Sequence, residues 1–147
     1  MGIISASNKL QIKTMKWIPW DDVLATGHAD MDADHKVLIR LFNQLADSVR
    51  NRSGRAVSSD LLNDIIEHAK THFAMEDRLM ATHRYPKADQ HVAEHAKLIN
   101  RAVNFKTKFD VGSPGSHIDL IHFPEDWLTF HILGADKALS EFLSATT

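Results

Sequence analysis

Apolar residues recur along this chain at helical spacing, and several of the same stripes carry histidine. Asp32 is a good N-cap for a helix running to about Asn51, in which His35, Leu38, Phe42, Leu45 and Val49 share one face. Asn51-Arg52-Ser53-Gly54 ends it. Ser58 or Ser59 is the expected cap of a second helix, reaching about His83 before Tyr85-Pro86 breaks it. Leu61, Ile65, His72, Glu76 and Leu79 follow its inward stripe. A third helix is predicted from about Ala88 to Phe109, with His91, His95, Leu98, Ala102, Phe105 and Phe109 facing inward. Gly112-Ser113-Pro114-Gly115 reads as a loop, and Ser116 as a cap for a fourth helix. That last helix is less regular. Pro124 predicts a kink or restart. Beyond it come Trp127, Leu128, His131, Ile132, Gly134, Asp136, Leu139, Phe142 and Leu143.

No strand-like alternation and no internal repeat interrupt this pattern. The expected fold is all-α: an up-down-up-down four-helix bundle with a non-helical N-terminal arm and a short C-terminal helical segment. Residues 1–16 form the arm, and residues 17–147 the bundle domain. Trp17-Ile18-Pro19-Trp20 is an extended, proline-broken segment expected to pack across a bundle end.

The polar residues on the inward stripes change the picture. His35, His72, Glu76, His91, His95, His131 and Asp136 come from four helices and point at one interior. Buried imidazoles and carboxylates must be paired, neutralised or bound to metal. His72 and Glu76 are one helical turn apart, as are His91 and His95. His131 and Asp136 are five apart, which on an ideal helix is about 140° off-face. Gly134 lies between them and permits a bend or local unwinding that returns Asp136 to the interior.

Composition narrows the chemistry. The chain has 147 residues, one domain's worth, and no cysteine, so disulfides, thiolate zinc sites and iron–sulfur clusters are excluded. Seventeen basic residues face 19 acidic ones, for a formal charge of -2, which gives no electrostatic case for nucleic acid. No apolar run approaches a membrane span, and Met1 to Lys16 lacks a signal peptide's apolar centre, so a cytoplasmic protein is expected. Five imidazoles and two carboxylates suit iron, and less specifically zinc, copper or nickel. Two octahedral ions offer about twelve positions. The histidines would fill five, two bridging carboxylates four and a bridging hydroxide two, leaving about one for a small ligand.

The donors sit in recognisable surroundings: Trp20-Asp21-Asp22, Asp32-Ala33-Asp34-His35-Lys36, His72-Phe73-Ala74-Met75-Glu76-Asp77, Tyr85-Pro86, His91-Val92-Ala93-Glu94-His95, and Trp127-Leu128-Thr129-Phe130-His131-Ile132 followed by Asp136-Lys137. From Trp20 to Leu143 the chain resembles the bacterial hemerythrins. The resemblance implies a non-haem di-iron centre with a bridging oxo or hydroxo group that binds dioxygen reversibly. His91, His95 and His131 would hold one iron. His35 and His72 would hold the other, which keeps the open position, and Glu76 and Asp136 would bridge. Leu38, Phe73, Trp127, Leu128 and Ile132 match the family's oxygen pocket, although Phe73 and Trp127 serve equally as core. Pro124, His28 and the long arm depart from the family pattern.

Other readings are weaker. His91-Val92-Ala93-Glu94-His95 also fits the inverted zinc-peptidase signature with Glu94 as base, but that leaves His35, His72 and His131 unexplained. A ferritin-like oxidase needs Glu-x-x-His motifs, and none exists here. An oxygen or redox sensor acting through a separate partner is the alternative to a carrier, store or scavenger. A di-iron peroxidase or nitric-oxide reductase ranks last, because no acid or base is left over beyond His68. His68 is expected to be a partly buried histidine with a satisfied hydrogen bond, and His83 to sit at a helix end. His28, His117 and His122 are expected at the surface, and Lys97, Arg101, Lys106 and Lys108 in water.

Overall fold

In a computed structural model of the chain, the described residues are Trp20, residues 22–112 and residues 127–146, the side chains of 127–129 excepted. Four helices carry the fold, with no strand among the described residues. A 3-10 turn, Asp22–Leu24, precedes α1 (Ala29–Arg50). α2 (Arg55–His83) and α3 (Ala88–Asp110) follow. α4 begins as a π-helix, Trp127–Asp136, and runs directly into α-helix over Lys137–Ala145. No helix among the described residues is long and apolar enough to cross a membrane.

Side-chain contacts fix the helix directions. Asp34, early in α1, bonds His72, late in α2, while Ser48 and Ser58 join the opposite ends of the same pair. Glu76, late in α2, meets His95, early in α3, and Ser59 bonds Asp110 at the far end. Each neighbour therefore runs antiparallel to the last, as four-residue links at 51–54 and 84–87 require.

Two apolar clusters sandwich a polar layer. On one side Leu38, Phe42, Leu45, Leu62, Ile65, Ile66, Ala69, Phe73, Ala102, Phe105 and Phe109 interlock. On the other side lie Met31, Met80, Tyr85, Leu139 and Leu143. Each fully buried Leu or Phe contributes about 1.5–3 kcal/mol relative to exposure. The helices are thus clamped above and below the polar layer by surface that water cannot reach.

The helix starts differ from expectation. α1 begins at Ala29, capped by His28, whose Nδ1 accepts from the Met31 amide at 3.3 Å. His28 is therefore a half-buried cap and not a simple surface residue. Asp32 instead turns back on the incoming chain, accepting from the Thr26 amide at 2.8 Å, the Thr26 hydroxyl at 2.8 Å and the Gly27 amide at 3.2 Å. Its negative charge in the first turn still favours the helix dipole. α2 starts three residues before Ser58, after Gly54 at φ 103°, a conformation that favours glycine. Ser58 lies inside the helix and spends its hydroxyl on Ser48 at 2.7 Å.

Trp20 packs with Leu24 on Ile39 and Ile132, along the flank of α1 and α4 and not across a bundle end. The apolar strip that these isoleucines offer lies beside the polar layer. The Lys36 ammonium stands 4.9 Å from the centre of the indole ring. The arm at 1–16, Trp17 to Pro19, residues 113–116, His117, His122 and Pro124 lie outside the described residues.

Candidate metal centre

The polar layer is built from every helix. α1 supplies His35, α2 His72 and Glu76, α3 His91 and His95, and α4 His131 and Asp136, and all seven are buried. Glu76 and Asp136 show no exposure at all. Each of the five imidazoles turns its Nε2 towards these two acids. Glu76 Oε1 lies 3.0 Å from His91 and 3.1 Å from His95, and its Oε2 adjoins His72. Asp136 Oδ1 lies 3.1 Å from His131 and 3.2 Å from His91, and its Oδ2 lies 3.0 Å from His35.

The spacing of His131 and Asp136 is resolved by winding. In a π-helix the backbone bonds run from i to i+5, so residues five apart stack one turn above the other. The π segment spans both residues, and Gly134 within it has open space where a Cβ would stand. A regular α-helix would have carried Asp136 away from the layer.

Closeness here does not amount to ordinary pairing. Nε2 of His35 and His72, Oε2 of Glu76 and both Asp136 oxygens are sealed from water, yet none completes a hydrogen bond of good geometry among the described residues. Buried polar atoms left this way need an explanation. Atoms that crowd together without aiming at each other are aimed at points between them. Two overlapping sets result: Glu76, His91, His95, His131 and Asp136, and His35, His72, Glu76 and Asp136, each with donor atoms within 4.8 Å of one another. Ligand atoms on opposite sides of an ion bound at about 2.1 Å stand about 4.2 Å apart, so each set matches the size of one coordination sphere. Glu76 and Asp136 belong to both.

Opposite charges within the layer support one another. Burial and the adjacent Asp136 charge push the Glu76 carboxyl upward, but the facing His72, His91 and His95 imidazoles outweigh them and hold it at about 2. Burial likewise opposes ionisation of Asp136, and His131, His35 and His91 reverse this and lower it well below the usual range. Burial would discharge His91 and His131, yet the two acids facing them push them up to about 9 and about 10. His72 is raised for the same reason.

Residues 26–143 match the family described as the hemerythrin HHE cation-binding domain. The chain belongs to the hemerythrin family. A bacteriohemerythrin from Stenotrophomonas maltophilia is 28% identical over 131 residues, covering 89% of this chain and 84% of its own. A hemerythrin-like protein from Naegleria gruberi is 29% identical, covering 80% and 86%. The myohemerythrin of Riftia pachyptila is 26% identical over the same shares. Membership in this family implies non-haem iron binding, and the imidazole and carboxylate donors fit such an ion.

The residues expected from the resemblance to form an oxygen pocket divide between clusters. Leu38 and Phe73 are buried in the large apolar cluster, and Ile132 packs against Ile39. Phe73 also lies flat on His95, with ring centres 3.8 Å apart and planes 9° from parallel. The side chains of Trp127 and Leu128 lie outside the described residues. His68 donates from Nε2 to the Asp34 carbonyl at 3.1 Å, and His83 is the last residue of α2.

Three acids escaped sequence reasoning as parts of this site. His72 donates from Nδ1 to Asp34 at 2.9 Å, and His95 donates from Nδ1 to Asp77 at 3.1 Å. Glu94 stands 3.4 Å from Nδ1 of His131, on the side away from the layer, and this contact lowers its own pKa. A carboxylate behind an imidazole fixes its tautomer and leaves Nε2 free to ligate. Glu94, the expected base of the rival peptidase motif, occupies this backing position instead. A cavity of about 290 Å³ is lined by residues of α3, α4 and the link before α3, Lys87, Gln90, His91, Glu94, Phe130 and Gly134 among them.

Proposed function

We propose that this hemerythrin-family chain binds dioxygen reversibly at two iron ions, one in each donor set, and serves as an oxygen carrier, store or scavenger. His91, His95 and His131 hold one ion and His35 and His72 the other, with Glu76 and Asp136 shared. The single observation that supports this best is the partition of seven buried donors into two overlapping sets, five donors in one and four in the other. With one donor fewer, the smaller set would leave its ion the spare coordination position that a diatomic ligand requires. When bound and ferrous, such a pair would supply the two electrons that oxygen takes up and returns.

The chain's own residues do the rest. Asp34, Asp77 and Glu94 hold imidazole rings in orientation. Leu38, Phe73 and Ile132, all buried, keep water from the layer and so suppress the protonation that would strand iron in the ferric state. Trp127 and Leu128 complete this pocket by family resemblance. We read the protein as a binder rather than an enzyme, because beyond His68 no acid or base is left over beside the two donor sets.

The test is direct. Protein reduced to the ferrous form under argon should develop a visible charge-transfer band on admitting air and lose it on degassing, through repeated cycles. A ferrous sample that takes up no oxygen, or one that bleaches irreversibly in a single cycle, overturns the proposal.

A further inference from the structure

The two donor sets are not equivalent, and we infer that metal fills them in a fixed order: first the set of His91, His95 and His131, then the set of His35 and His72. This rests on the two-ion reading above and adds to it the residues that set the order, Asp77 and Glu94 for the first ion and Asp34 with His68 for the second.

Three observations carry it. The first set offers five protein donors and the second four. In the first set, His95 is held by Asp77 behind it and by Phe73 stacked on its face, and His131 has Glu94 at its back. His91 and His95 also share one helix a turn apart, so few degrees of freedom remain to be ordered when an ion arrives. In the second set, His72 is backed by Asp34, but Nδ1 of His35 is buried with no hydrogen-bond partner among the described residues. That ring is less firmly directed, and its two imidazoles come from separate helices. Finally, the cavity beside α3 and α4 is lined by His91 and by Glu94, and by neither His35 nor His72. A cation arriving there meets the first set.

Asp34, Asp77 and Glu94 are positioning residues. Each acts through an imidazole, and each is only about one-third to two-fifths exposed, at 34%, 42% and 38%. His68 holds the main-chain carbonyl of Asp34 from α2, and so steadies the second set at one remove. Losing such a backing carboxylate typically lowers metal affinity by about 10–100-fold.

Anaerobic titration of the metal-free full chain with Co2+ alone, followed by calorimetry and the visible cobalt spectrum, separates the steps. Two steps are expected in the wild type. Asp77→Asn and Glu94→Gln should each weaken the first by about 10–100-fold, whereas Asp34→Asn should leave the first unchanged and weaken the second by a similar factor. His68→Ala should weaken the second step alone, by less. A merely structural role would lower both steps together, and circular dichroism of the metal-free variants checks that they fold. The inference is overturned if Asp34→Asn weakens the first step, if Asp77→Asn and Glu94→Gln spare it, or if the two ions bind indistinguishably. An end point of one ion per chain instead overturns the two-ion reading itself.

Discussion

Replacing Glu76 by glutamine removes a charge while almost keeping the shape. Glu76 has no exposure and meets three imidazoles. The carbonyl of a glutamine side chain there could not serve all three, and its amide would turn donors towards donors. The magnitude follows from the carboxyl's displacement from 4.5 to about 2, which corresponds to about 3 kcal/mol favouring the folded, ionised form at neutral pH. Removing one member of a buried ion pair costs about 3–5 kcal/mol, which agrees. The sign is set by a depressed folded pKa. The contribution is complete above 4.5 and is lost as pH falls towards about 2. Urea denaturation of metal-free wild type and Glu76→Gln, followed by far-ultraviolet circular dichroism, should give a gap of about 3 kcal/mol at pH 7 that narrows steadily below pH 4.5. A variant within about 1 kcal/mol of wild type at pH 7 would refute the reasoning that the facing imidazoles stabilise the Glu76 carboxylate in the folded chain.

Two further outcomes are expected. His91 at about 9 and His131 at about 10 are protonated at neutral pH and must lose those protons to ligate, so metal uptake should release protons and its apparent affinity should fall steeply as pH drops from about 9 to about 6. An indicator dye in weakly buffered solution measures the release, and no acidification on loading would contradict the assigned charges. Moving the α4 carboxylate back one residue, with Ala135→Asp and Asp136→Ala together, should cost about 10-fold or more in metal affinity, because the π winding presents position 136 and not 135 to the layer. Calorimetry that finds unchanged affinity would show the segment rewinding freely to α-helix.

How much was legible in the chain differs from residue to residue. His72 with Glu76, and His91 with His95, declare themselves because α-helical periodicity repeats every turn and apolar neighbours mark the inward face. The gap between His131 and Asp136 announced irregular winding, with Gly134 as its site. Its extent over Trp127–Asp136 was not readable, since π winding has no propensity signal as plain as a proline or a cap. Asp34 and Asp77 stayed hidden for a different reason. They reach imidazoles 38 and 18 residues away on other helices, and cross-helix geometry leaves no local pattern. The misplaced helix starts reflect competing demands on small polar residues. Asp32 and Ser58 have cap chemistry, but the turn at Thr26 and the hydroxyl of Ser48 claim them.

The wide turn in α4 also has a bearing on inheritance. Beyond it, Leu139 and Leu143 pack into the bundle on ordinary α-helical phase, while within it His131 keeps the phase of the donor layer. The loosened coil absorbs the mismatch between these two registers, much as a splice takes up slack in a rope. Deleting one residue between His131 and Asp136 would thus let the segment rewind as α-helix, with its two donors one ordinary turn apart and the packing beyond them kept in phase.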